Sequence, residues 1–285
     1  MFKKILVPVS SEFYSNEVIN RSIFLAEIFN STVHILFIIE DTPLQQMEKS
    51  SDAHLTHYDR TETHHELLYT QRKTADHILF DHAKHIFKQK NKQMKHTILH
   101  GEFSSCVENE LKKQQYDLIL MGYEKGAMID YRILNETLTP IWIEGGGHHN
   151  SILAVCSNLA PNQKVPSISI KLAKAFNWSL SMLYIIDTQD TVEVDINGQR
   201  SSKKPKQELL QISQTFAKEM KEKNINVKII EGLLEQQTLK EAKNLESGLI
   251  IIGREQKKKG ILGLPVKNLK QKIVEKSNHS LLFIN

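Results

Sequence analysis

KKILVPVSSE, Lys3 to Glu12, and NSILAVCSNL, Asn150 to Leu159, are one pattern written twice, 147 residues apart. Each holds a short, nearly unbroken apolar run that ends in serine, which is what a parallel strand buried on both faces requires. NSTVHILFIIED (Asn30 to Asp41) recurs as NWSLSMLYIID (Asn177 to Asp187) at the same offset of 147. HGEFSSCVENELKKQQYDLILMG (His100 to Gly122) recurs as EGLLEQQTLKEAKNLESGLIIIG (Glu231 to Gly253) at an offset of 131. One fold is therefore encoded twice in 285 residues, with the first copy 16 residues longer between its second and third strands.

Within each copy strand and helix alternate. The runs Ile5 to Val9, Val33 to Ile39, Leu118 to Met121 and Ile141 to Ile143 predict strands. Val18, Ile19, Ser22, Ile23, Ala26 and Phe29 repeat at helical spacing, as do Leu209, Ile212, Phe216 and Met220 in the second copy. Strands separated by amphipathic helices predict an open, doubly wound α/β sheet in each copy. Ligands of such sheets sit outside the carboxyl ends of the strands. Gly145, Gly146 and Gly147, followed by His148, His149 and Asn150, leave the backbone free to turn, and divide the chain into domains 1–146 and 147–285.

These residues resemble the universal stress protein family in its tandem form, over nearly the whole chain. The resemblance is carried by KKILVPVSSE, VHILFIIED, DLILMG, GLIIIG and the closing runs TPIWIE and SLLFIN. It implies a five-stranded parallel sheet per copy, of the adenine nucleotide α-hydrolase-like kind, and an internal pairing of the two copies through their last strands. It also implies a soluble, cytoplasmic stress-response protein that binds a small ligand or partner, with a homodimer as a further possibility.

Nucleotide-binding members of that family carry a glycine motif after the fourth strand: Gly, two residues, Gly, nine residues, then Gly before Ser or Thr. Glycines admit backbone N–H groups to the phosphates, and the last pair opens a helix whose amino end favours anions. The first copy departs from the motif. Gly122 to Ile141 spans 19 residues where Gly253 to Leu282 spans 29, so ten residues are missing where the phosphate loop would lie. The second copy keeps Gly253, Gly260 and Gly263, with Lys267 and Asn268 in place of the Gly–hydroxyl pair. Lys257, Lys258 and Lys259 sit among those glycines. Where relatives have an Asp after the first strand, to accept hydrogen bonds from a nucleoside, this chain has Ser10 and Ser157.

The second copy is thus the expected ligand holder. Its candidate cofactor-binding residues are Ser157, Gly253, Lys257, Lys258, Gly260, Gly263 and Asn268, and the nucleotides to consider are ATP and AMP. Charge points the same way: residues 1–145 carry 16 Lys/Arg against 20 Asp/Glu, and residues 146–285 carry 21 against 13. A solvated basic surface loop is the competing reading of the lysines.

Nine of the 13 histidines fall between His54 and His100, largely in the longer segment of the first copy. If about Glu66 to Lys90 is helical, His77, Asp81 and His85 share a face at four-residue steps, a spacing compatible with zinc. The alternative is a helix packed through Leu67, Leu68, Ala75, Ile78, Leu79, Ile86 and Phe87 with its histidines wet. Cys106 and Cys156 read as small buried residues, too few for a disulfide framework. G-x-S-x-G, H-E-x-x-H, G-x-x-x-x-G-K-[ST] and C-x-x-C are all absent from the sequence, so no catalytic residues are assigned. Nucleic acid is not expected as a partner, since the lysines lack interleaved aromatics. Nor is a membrane, since no apolar run approaches about 20 residues. A weak, metal-assisted nucleotide hydrolase or phosphotransfer activity is the alternative to a purely binding role.

Overall fold

The computed structural model describes residues 1–10, 15–39, 78–90, 92, 94–122, 133–134, 137–146, 149–195, 199–254 and 269–285. They fall into two compact units, Met1–Ile133 and Leu134–Asn285.

In the first unit, β1 (Lys4–Val9), β2 (Thr32–Ile39), β3 (Met94–His100) and β4 (Leu118–Gly122) form a parallel sheet in the order β3-β2-β1-β4. The order follows from burial. β1 and β2 are inner strands and are buried at all but their first residues, whereas edge strand β3 mixes half-buried with exposed ones. Helix α1 (Asn16–Phe29) starts at Ser15, whose hydroxyl accepts from the Val18 amide at 3.3 Å, and ends at Asn30 in the left-handed region, φ 50°. It buries Val18, Ile19, Ser22, Ile23 and Ala26 of the predicted stripe and adds Leu25, while Phe29 is half-buried. Residues 78–89 form α2, and Phe103–Lys113 form α3.

The second unit contains β5 (Ile141–Glu144), β6 (Ser151–Ser157), β7 (Ser179–Ile186), β8 (Val227–Glu231), β9 (Leu249–Gly253) and β10 (Ser280–Ile284). Their order is β5-β10-β9-β6-β7-β8. The five strands from β10 to β8 are parallel and constitute the second copy's sheet, while β5 adds antiparallel to β10, Leu282 opposite Trp142. The closing strands of the two copies therefore pair with each other. That pairing draws β5 into the second compact unit, although the sequence repeat assigns it to the first copy.

Four helices connect these strands: α4 (Val165–Phe176), α5 (Lys206–Glu222), α6 (Leu234–Asn244) and α7 (Leu269–Lys276). Asn177 ends α4 at φ 56°, repeating the role of Asn30. The asparagine that opens both second-strand repeats is thus a helix stop, since Asn tolerates the left-handed region better than most residues. β7 shows the two faces of the sheet. Tyr184 packs at a tilt against Phe216 of α5 with ring centroids 5.3 Å apart, and Asp187, of opposite parity, accepts from the first amide of α6.

The packing of α2 differs from expectation. Ala83 and Phe87 are buried and Phe80 meets Phe37 edge-on at 4.9 Å, but Ile78 is 63 % exposed. The apolar stripe runs through 80, 83 and 87, and Ile78 lies off it. Leu67, Leu68 and Ala75 lie outside the described residues. Cys106 and Cys156 are both free and buried.

Candidate functional site

The switch in strand order in the second unit lies at β6, which has β9 on one side and β7 on the other. Beyond the carboxyl ends of β6, β7 and β8 lies a crevice of about 450 Å³, lined by residues that follow each of these strands and by Lys272 of α7.

Asn158, the residue after β6, organises it. Its side chain is fully buried, and its Nδ2 donates to the carbonyls of Asp190 (3.0 Å) and Val192 (2.8 Å). Its Oδ1 accepts from the Asp187 amide at 2.8 Å, and its carbonyl accepts from the Val194 amide at 2.8 Å. One amide side chain thus ties the segment after β7 to the end of β6. The same segment is closed by an antiparallel bridge between Val194 and Arg200.

Asp187 does the neighbouring task. Its Oδ1 accepts from the amides of Gln189 (2.9 Å) and Asp190 (3.0 Å), and its Oδ2 from the Leu234 amide (2.9 Å). Helix α6 has Leu233 at its N-cap, which offers no acceptor, so a carboxylate 47 residues earlier supplies the cap. In the first unit the corresponding helix α3 is capped locally, Glu102 accepting from the Ser104 and Ser105 amides.

The crevice charges are mostly paired. Arg200 Nη1 meets Asp190 Oδ2 at 2.6 Å, and Glu235 takes Lys276 at 2.5 Å and Lys272 at 3.9 Å. Lys203 has no ion-pair partner among the described residues. Leu159, Leu233 and Leu234 supply the apolar part of the lining.

Ser157 is fully buried; its hydroxyl donates to Asn158 Oδ1 at 3.4 Å and accepts from the Leu159 amide at 3.2 Å. That is the geometry of a turn-forming serine. Gly253 closes β9 under a tight contact, since a Cβ there would lie 1.9 Å from the Pro161 carbonyl oxygen. Ser157 and Gly253 thus end the neighbouring strands β6 and β9, and neither lines the crevice. Lys257, Lys258, Gly260, Gly263 and Asn268 lie outside the described residues.

Arg254, which sequence reading passes over, is engaged elsewhere. It is 1 % exposed, donates from Nη1 to the Leu134 carbonyl (3.0 Å) and from Nη2 to those of Thr137 (2.6 Å) and Thr139 (3.1 Å), and its Nε meets Asn285 Oδ1 at 2.7 Å. Burial pushes its pKa down to about 10. Next to the lysine block, this cation is committed to backbone carbonyls rather than offered to an anion.

Of the proposed zinc ligands, Asp81 and His85 are exposed on α2 and His77 lies outside the described residues. Among the described residues no three His, Cys, Asp or Glu side chains gather to hold a metal. The histidine that the structure does bury is His34, in β2. Its Nδ1 meets the Tyr116 hydroxyl at 2.5 Å and Glu110 Oε1 at 3.5 Å, and its Nε2 meets Thr97 Oγ1 at 2.9 Å. Burial lowers the His34 pKa, and Lys4, Lys95 and His96 act in the same direction against the opposing pull of Glu110. This cluster lies toward the amino ends of β1, β2 and β4, at the other end of the strands from where ligands of such sheets bind.

The second unit is thus a doubly wound α/β sheet with a polar crevice at its strand ends, where ligands of such sheets sit. Residues 1–138 match the model of the universal stress protein family. The fold continues over the second copy. A universal stress protein structure from Pseudomonas aeruginosa covers 99 % of this chain and 93 % of its own at 13 % identity, TM-score 0.61. One from Archaeoglobus fulgidus covers 99 % and 98 % at 11 % identity, TM-score 0.58. A comparison with curated proteins gives no significant match. Among the described residues no helix is long and apolar enough to cross a membrane.

Proposed function

We propose that this chain is a binding member of the universal stress protein family, and that the second copy's crevice holds a small ligand carrying at most one phosphate, with AMP favoured over ATP. One observation carries this reading: of the crevice cations Arg200, Lys203 and Lys272, only Lys203 is without an ion-pair partner among the described residues. One uncommitted ammonium suits a single phosphate, whereas a triphosphate would have to displace Asp190 and Glu235 from their partners. The apolar trio Leu159, Leu233 and Leu234 suits a nucleoside, and Lys257 and Lys258 join the proposal on sequence grounds.

Calorimetric titration with AMP and with ATP–magnesium tests it. AMP is expected to bind more tightly, with Lys203→Glu reducing its affinity about tenfold, a large effect for one charge-assisted contact. Leu233→Trp, which fills the crevice, should abolish binding. Tighter ATP binding with hydrolysis would replace this reading by the catalytic one, and equal AMP affinity in Leu233→Trp would move the ligand elsewhere.

A further inference from the structure

On the opposite face of the second copy's sheet, α4 and α5 leave a cavity of about 700 Å³ between them. Pro166 and Ile170 of α4 form one wall, Ile212 and Phe216 of α5 the other, and Tyr184 of β7 lies at the base. Tyr184 is 1 % exposed and its ring packs on Phe216, but its hydroxyl makes no hydrogen bond with any described residue. Nor is that hydroxyl sealed from water. The described side-chain polar atoms that are both sealed and unpartnered are Ser104 Oγ, Glu108 Oε1 and Thr238 Oγ1. The phenol therefore opens onto the cavity.

The internal repeat sharpens the point. The residue 147 positions earlier is Phe37, which packs on Phe80 just as Tyr184 packs on Phe216. The aromatic pair is what the fold needs, and the first copy makes it without a hydroxyl. The second copy adds one donor at the base of a cavity walled by Pro166, Ile170, Ile212 and Phe216, and gives it no partner among the described residues. A volume of this size, with apolar walls and with Asn162, Gln163, Ser167, Gln211 and Thr215 also in its lining, is within the range of small-molecule sites.

The mouth selects by charge. Glu193, Glu208 and Glu219 line it against Lys223, while Lys204 bridges Glu193 at 3.2 Å and Glu208. The excess of carboxylate disfavours anions such as phosphates and carboxylic acids. Burial raises the phenol pKa, with Cys156 and Glu193 adding to the effect, so Tyr184 stays protonated and serves as a donor.

We propose that the cavity between α4 and α5 is a second binding site, separate from the crevice at the strand ends. It takes an uncharged molecule with an apolar ring body and one hydroxyl group, and that hydroxyl accepts the Tyr184 proton donor.

2-Naphthol, whose fluorescence reports its surroundings, is the probe, with naphthalene and 2-naphthoate as size-matched controls. Saturable 2-naphthol binding is expected, with 2-naphthoate at least about tenfold weaker against the glutamates. Tyr184→Phe installs the residue that the first copy already uses, so it should fold and melt like wild type. It should weaken 2-naphthol about fivefold to tenfold, the usual worth of one hydrogen bond, and leave naphthalene unchanged. Ile212→Trp should exclude all three. Equal 2-naphthol affinity in Tyr184→Phe, a preference for 2-naphthoate, or the absence of saturable binding would each overturn the proposal.

Discussion

Removing the Asn158 side chain tests how the second copy's crevice is held. Asn158→Ala deletes three contacts to backbone groups, the carbonyls of Asp190 (3.0 Å) and Val192 (2.8 Å) and the Asp187 amide (2.8 Å), besides the longer one from the Ser157 hydroxyl (3.4 Å). Asp187 and Val192 are buried, at 4 % and 8 % exposure, so the freed groups cannot all turn to water without the segment moving. An unsatisfied buried group costs about 1–3 kcal/mol. Three groups, partly rehydrated through the crevice, then amount to about 3–5 kcal/mol. The chain's two tryptophans, Trp142 and Trp178, both lie in the second unit, so their fluorescence during urea unfolding reports that unit alone. Asn158→Asp separates the two roles of the side chain. It keeps an acceptor for the Asp187 amide but turns a carboxylate oxygen toward two carbonyls, and should be at least as damaging as alanine. Hydrogen exchange should show the Asp187 and Val194 amides losing protection in both variants. A loss under about 1 kcal/mol in Asn158→Ala, with those amides still protected, would refute the reasoning, because the segment would then be held by the packing of Val192 and Val194 instead.

Two other outcomes follow from the geometry. His34 is held neutral by burial, so the first unit should keep its full stability above about pH 6.5 and lose it as the pH falls toward 5, when the unfolded chain takes up the proton first. The slope should reach at most about 1.4 kcal/mol per pH unit and flatten in His34→Gln; amide exchange in β2 measures it, and an unchanged slope would exclude His34 as the cause. Gly253→Ala should cost about 2–3 kcal/mol in tryptophan-monitored unfolding, because its Cβ would meet the Pro161 carbonyl oxygen at 1.9 Å. Gly146→Ala is the control: it has open space but φ +73°, so strain alone should cost about 1 kcal/mol, and equal losses would contradict the steric account.

How far the sequence could be read depended on the range of the interaction. The strand runs at Ile5, Val33, Leu118 and Ile141, the helical stripe from Val18 to Phe29, and the repeat itself all appear where expected, because each depends on neighbours a few residues away. The stop at Asn30 and Asn177 is equally local. Local reading went astray at Ile78, where periodicity without the partner surface could not say which of two adjacent apolar stripes faces the sheet.

The candidate site was legible only in outline. Ser157 and Gly253 were singled out by their places at the ends of strands β6 and β9, yet the contacts that occupy them come from Leu159 and Pro161 across turns whose closure no spacing rule encodes. Asn158 and Arg254 were not among the residues singled out from the sequence. A signal for Asn158 did exist: a polar amide amid LAVCSNLA, in a run otherwise bound for the core.

The sequence by itself determined that one sheet fold is encoded twice and that the second copy retains more of the glycine pattern, because apolar periodicity and repeat offsets are properties of the chain. Tertiary structure decided which charges remain available. Asp187 caps a helix 47 residues away, Arg200 and Lys272 find carboxylates, and Arg254 is buried among carbonyls more than 100 residues earlier. Electrostatic and hydrogen-bond pairing depends on distances of about 3 Å in space, and separation along the chain carries no information about those distances.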